Sequence, residues 1–88
     1  MKLKKGFVVR EVGGKTVAVA VGAMASEFRG MITLNGSGKL IWQALAEETS
    51  EQRIVDLILE EYEVSREVAE ADVAKFVGAL RGAGLLLE

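Results

Sequence analysis

The period of the hydrophobic positions changes near the middle of the chain. Up to about residue 34 apolar residues alternate or run together in short β-branched stretches, and beyond it they recur every three or four residues. Phe7–Val12 and Lys15–Val21 are two strand-like runs separated by Gly13-Gly14. Two glycines between such runs predict a two-residue hairpin, because both can take positive φ. In that register Val12 faces Lys15, Arg10 faces Val17 and Val8 faces Val19. The opposite face pairs Glu11 with Thr16, Val9 with Ala18 and Phe7 with Ala20. Both faces are largely apolar, so the pattern leaves open which one turns inward. The connector 22–29 has no strong pattern, and its lone aromatic, Phe28, is expected to tuck inward.

The segment GMITLNGSGKLIW, residues 30–42, reads as a strand running into a helix. Gly30, Met31, Ile32, Thr33 and Leu34 form the short third strand. At a sheet edge such a strand leaves a row of backbone groups free to accept an added strand; the alternation alone leaves edge and centre equally open. Asn35 suits the N-cap of the helix that follows.

Three helices are expected. The first covers 36–46, with Leu40, Ile41, Ala44 and Leu45 on one face and Trp42 as a core anchor. Gly36 and Gly38 weaken its first turn by about 1 kcal/mol each relative to Ala and permit close packing. The second begins at Thr49, whose T-x-x-Q spacing with Gln52 suggests a capping box, and shows Ile54, Leu57, Ile58 and Tyr62 on one face. The third follows Ser65 as N-cap, with Val64 placed to staple onto Ala69. Ala69, Val73, Phe76 and Leu80 make its stripe, widened by Val77, and Gly82 or Gly84 ends it. Leu85–Leu87 is expected to pack back as an extended tail. The fold class is therefore α+β and winged helix-turn-helix-like, three antiparallel strands followed by three helices. It is one domain, with a β-part over 1–34 and a helical part over 35–88.

Composition narrows the function. The 88 residues include no Cys and no His, which rules out disulfides and the usual structural zinc ligands. No run of about 18 apolar residues exists, so no membrane span is expected, and the basic N-terminus lacks the apolar stretch of a signal peptide. A cytoplasmic location is the resulting expectation. Half the residues are hydrophobic, rich for this length, which suggests that some apolar surface meets a peptide, a partner or another copy in a homodimer.

Charge is divided. Residues 1–39 carry seven Lys/Arg against two acids, and residues 40–88 carry four against eleven. Such a split steers charged partners, or else reflects helix faces solvated by Glu. A winged helix-turn-helix suggests DNA, but the second helix offers only Arg53 amid Glu51, Asp56, Glu60 and Glu61. The third sets Arg66, Lys75 and Arg81 against Glu67, Glu70 and Asp72. Phosphate repels such a surface, so a DNA-binding regulator is the weaker reading.

No catalytic set is visible. Ser37 and Lys39 stand at i, i+2, where helical side chains do not face each other. The GSGK run lacks the spacing of a phosphate loop, and Glu60, Glu61 and Glu63 read as a solvated run. Neither an enzyme nor a cofactor or metal site is expected.

Taken in order, Met31-Ile32-Thr33-Leu34-Asn35, Leu40-Ile41-Trp42, Ile54-Val55, Glu61-Tyr62, Ala71-Asp72-Val73 and Gly84-Leu85-Leu86 closely resemble the PqqD family. These are small proteins named for pyrroloquinoline quinone (PQQ) biosynthesis, also called recognition elements of ribosomally made, modified peptides (RiPPs). The resemblance is strong over 30–88 and looser over the hairpin. It implies three strands followed by three helices, and a non-catalytic chaperone. That chaperone binds the leader segment of a precursor peptide and presents it to a modifying enzyme, often a radical SAM protein. It implies a docking edge at Gly30, Met31, Ile32, Thr33 and Leu34, and a wall at Asp72, Phe76 and Ala79. Gly36 departs from the family, which more often has an acidic residue or a better helix former there. The basic β-half suggests a preference for an acidic leader, by way of Lys4, Lys5 and Arg29.

Overall fold

The computed structural model describes residues 1–34 and 36–88. Its elements run β1 (Lys2–Leu3), β2 (Phe7–Val12), β3 (Lys15–Ala20), α1 (Met24–Glu27), β4 (Met31–Thr33), α2 (Ser37–Ala44), α3 (Glu51–Glu61), α4 (Arg66–Gly82) and β5 (Leu86–Leu87). The α+β class expected from the pattern is the one observed. The expected cap at Asn35 lies outside the described residues.

The β2–β3 hairpin has the expected register, from Phe7 opposite Ala20 to Val12 opposite Lys15. Gly13 and Gly14 take φ of 57° and 80°, the two positive values that a turn of this twist requires. β4 pairs with β3 on its other side, giving the order β2-β3-β4.

Packing settles which face is inward. Ala18, Phe7, Ala20, Ile32 and Leu34 join the core formed with the helices. The row Val8, Val19 and Met31 looks the other way, and Met31 is 63% exposed. Phe7 meets Trp42 edge-on, with ring centroids 5.3 Å apart, so Trp42 anchors the sheet to α2 as expected.

Several details differ from the sequence reading. The connector contains a one-turn helix, α1, which buries Met24. α3 is capped by Ser50, not Thr49: the Arg53 N–H donates to Ser50 Oγ at 3.2 Å. Ser50 is the residue in extended conformation immediately before the helix, and Thr49 lies one place too early to reach the free amides. The buried face of α3 is Ile54, Val55 and Ile58, while Leu57 and Tyr62 remain exposed.

α4 follows its expected N-cap, with Val68 N–H donating to Ser65 Oγ at 3.2 Å. Its core stripe is Ala69, Val73, Val77 and Leu80. Val64, the expected staple, stays exposed. The helix ends in a Schellman arrangement: Leu85 N–H donates to Leu80 O and Gly84 N–H to Arg81 O, both at 3.0 Å. Gly84 takes a φ of +75° to make that reversal. The apolar tail then pairs as β5 with β1, Lys2 opposite Leu87 and Leu3 opposite Leu86. A two-residue strand has no periodicity to read, so this second sheet was beyond the pattern.

Candidate functional site

The third sheet strand is an edge. β4 pairs only with β3 among the described residues. In an antiparallel pair alternate residues bond to the partner. Leu34 N–H donates to Thr16 O at 2.8 Å, so the in-register pair Ile32 and Ala18 also faces inward along the ladder. The backbone N–H and C=O groups of Met31 and Thr33 therefore point to the open side.

The residues expected at this edge separate into two groups. Gly30, Met31 and Thr33 are exposed, and Ile32 is half-buried, its side chain on the core face. Leu34 is 3% exposed and its amide is already bonded to Thr16, so it belongs to the core rather than to a docking edge. Its apolar character looked the same as that of its neighbours, and only the depth of burial distinguishes it.

Across from this edge stands α4. Asp72, Phe76 and Ala79, the three residues expected to form a wall, line one open groove of about 600 Å³ together with Thr33, Gly36, Ser37, Gly38, Ile41 and Lys75. Phe76 is the hinge of the site. It continues into a second, smaller hollow of about 150 Å³, whose lining is Phe28, Ile32, Phe76, Ala79, Leu80, Ala83 and Leu85. The groove thus has a polar end, at Ser37, Asp72 and Lys75, and an apolar end beneath the last turn of α4.

Phe28, Leu80, Ala83 and Leu85 were not singled out as site residues. Leu80 and Leu85 read as core, and both are core, at 3% and 2% exposure; they also floor the hollow. Phe28 was expected inward, and it packs on Phe7 with ring centroids 5.9 Å apart. The Schellman bonds bring Leu85 back over Leu80, and that is what closes the hollow from below.

Among the described residues no group of three or more His, Asp or Glu is placed to hold a metal ion, and no helix is long and apolar enough to cross a membrane. What the site offers is a strand edge with free amides beside a groove that changes from polar to apolar along its length.

The comparisons agree with that shape. No curated protein matches the sequence. Among solved structures, TbiB1 in complex with the TbiA(beta) leader peptide superposes with a TM-score of 0.72 at 29% identity, over 98% of this chain and 94% of that one. Lasso peptide synthetase B1 complexed with the leader peptide superposes at 0.71 and 28% identity, over 99% and 96%. The family model for coenzyme PQQ synthesis protein D matches residues 24–86. That span holds the open strand, the wall opposite it and the hollow between them, and the chain belongs to the PqqD family.

Proposed function

We propose that this protein is a non-catalytic receptor for the leader segment of a ribosomally made precursor peptide. The leader adds as a strand to the open edge of β4, and its inward side chains enter the groove walled by α4. The protein then presents the loaded leader to a modifying enzyme, such as a radical SAM protein. The observation that carries this reading is the outward direction of the Met31 and Thr33 backbone groups, opposite Asp72, Phe76 and Ala79. Main-chain bonds to that edge supply affinity, and alternate side chains supply selectivity. The two leader-bound neighbours support the same reading.

The test is a titration of the labelled protein with leader peptides of precursors encoded beside its gene, followed by backbone amide NMR. Shifts concentrated on Met31–Thr33 and on Asp72–Leu80 are expected. Binding of duplex DNA with shifts on α3 and α4 instead, weakening steeply with salt, would replace this reading with that of a regulator.

A further inference from the structure

The outer face of the sheet is a second apolar surface. Val8, Val19 and Met31 stand in one row across β2, β3 and β4, and Arg10, Val17 and Thr33 stand in the next. None of these valines joins the core formed with the helices, yet Val17 is only 4% exposed. Met31, and Val12 two positions beyond Arg10, stand clear of the face at 63% and 54% exposure. The charge among them has one sign. Arg10 shares this face with Lys15, which lies opposite Val12. The two acids of the β-half lie elsewhere. Glu11 alternates to the other face and accepts from the Thr16 hydroxyl at 3.5 Å, and Glu27 ends α1. Among the described residues neither Arg10 nor Lys15 takes part in an ion pair.

A second copy of the chain fits this face poorly. A two-fold interface joins a patch to itself, so Arg10 and Lys15 would meet their own counterparts, and like charges set against each other cost affinity. A protein surface with an apolar centre and an acidic rim complements it. A strand added to β4 turns every second side chain to this same side, next to Met31. A partner seated here therefore touches the receptor and its bound leader together. Resting on the leader-receptor reading above, we propose that the outer sheet face is the docking surface for the modifying enzyme, which meets it with an acid-rimmed apolar patch. The helices and the α4 groove lie on the other side of the sheet, so loading and docking do not compete.

The test uses the purified modifying enzyme encoded beside this protein's gene and the leader peptide of the same precursor. Arg10→Glu should slow association with the enzyme about tenfold at low salt, and less as salt rises. Arg53→Glu, an equal change of charge at an exposed position of α3, should leave that rate unchanged. The leader affinity of Arg10→Glu should stay within about twofold of the parent at physiological salt, because β2 lies two strand spacings, about 10 Å, from β4 and beyond the Debye length. Equal effects of the two reversals, or none from either, overturn the proposal. A parent dimer in sedimentation that Arg10→Glu separates also overturns it, in favour of a second copy. A parent that takes up leader but not enzyme removes this docking face alone. One that takes up enzyme but no leader removes the strand-addition reading, and the two reversals still decide the face.

Discussion

Gly38 in the first turn of α2 and Phe76 in the middle of α4 are so close that a Cβ at position 38 would lie 3.1 Å from Phe76 Cε2. The missing side chain is what lets the ring lie against α2, and Phe76 lines both the polar and the apolar end of the groove. Gly38→Ala gains about 1 kcal/mol of helix propensity. Against this, the half-buried ring must give by a few tenths of an ångström. Denaturant unfolding should therefore show stability within about 1 kcal/mol of the parent, while the Phe76 ring resonances shift and leader affinity falls. Unchanged ring shifts and unchanged affinity would mean that Gly38 does not set the groove.

The direction of the β4 backbone groups makes neighbouring prolines unequal. Thr33→Pro removes a donor on the open side and leaves the ladder to β3 in place. It should spare the fold and cost about 1 kcal/mol of peptide affinity, roughly fivefold. Ile32→Pro removes a ladder donor to Ala18 and should destabilise the domain itself. Thermal unfolding alongside a peptide titration distinguishes them, and equal effects of the two prolines would contradict the assigned bonding directions.

Gly84 is needed for its backbone rather than for space. Nothing lies within 4 Å of a Cβ built there, yet its φ is +75°. Gly84→Ala should cost about 1–2 kcal/mol, and Gly84→Asn less, because Asn tolerates the left-handed region. Denaturant midpoints for the two variants test the ranking. Parity of both with the parent would remove the Schellman arrangement as the device that seats Leu85.

The expected preference for an acidic leader meets a refinement. Lys4 and Lys5 line a separate hollow with Phe7 and Trp42, whereas Arg29 directly follows Phe28 of the apolar pocket. At low salt Arg29→Glu should weaken binding of an acidic peptide more than Lys4→Glu or Lys5→Glu, with the difference fading as salt rises. Equal effects of all three would point to the overall field of the β-half instead.

Arg81 and Glu88 form a two-bond pair at the end of α4, both contacts at 2.8 Å. The hydrogen bond from Arg81 holds the Glu88 carboxyl below the usual glutamate value of 4.5. A lowered folded-state pKa means that the stabilisation is complete above that value and is lost as pH falls through the lowered one. With both side chains about half exposed, the pair should matter little to stability and be sensitive to salt. Carboxyl NMR titration of Glu88 should show the depressed midpoint, and Arg81→Gln should return it toward the ordinary range. A midpoint unmoved by that change would show that the pair does not persist in solution.

The site was partly legible from residue order. Asp72, Phe76 and Ala79, the three residues that the resemblance singled out on the third expected helix, line one groove. Leu34 was placed at the docking edge and is core, because hydrophobicity does not say how deep a strand end sits. Leu57 and Tyr62 fit a helical stripe and are exposed, because α3 packs through Val55, one position round the helix. Thr49 and Ser50 are both good caps, and only the point where the backbone leaves the extended region chose Ser50.

What the sequence determined by itself was local. Gly13-Gly14 set the hairpin register, Ser65 set the start of α4, and the change of period separated sheet from helices. These follow from steric and hydrogen-bonding preferences that act over a few residues. Tertiary structure decided the rest: that β4 is an edge, that the Phe7–Ala18–Ile32 face is the inner one, and that Phe28, Phe76 and Leu85 meet around one hollow. Those outcomes depend on which apolar surfaces, far apart in the chain, exclude water together, and no local pattern encodes that choice.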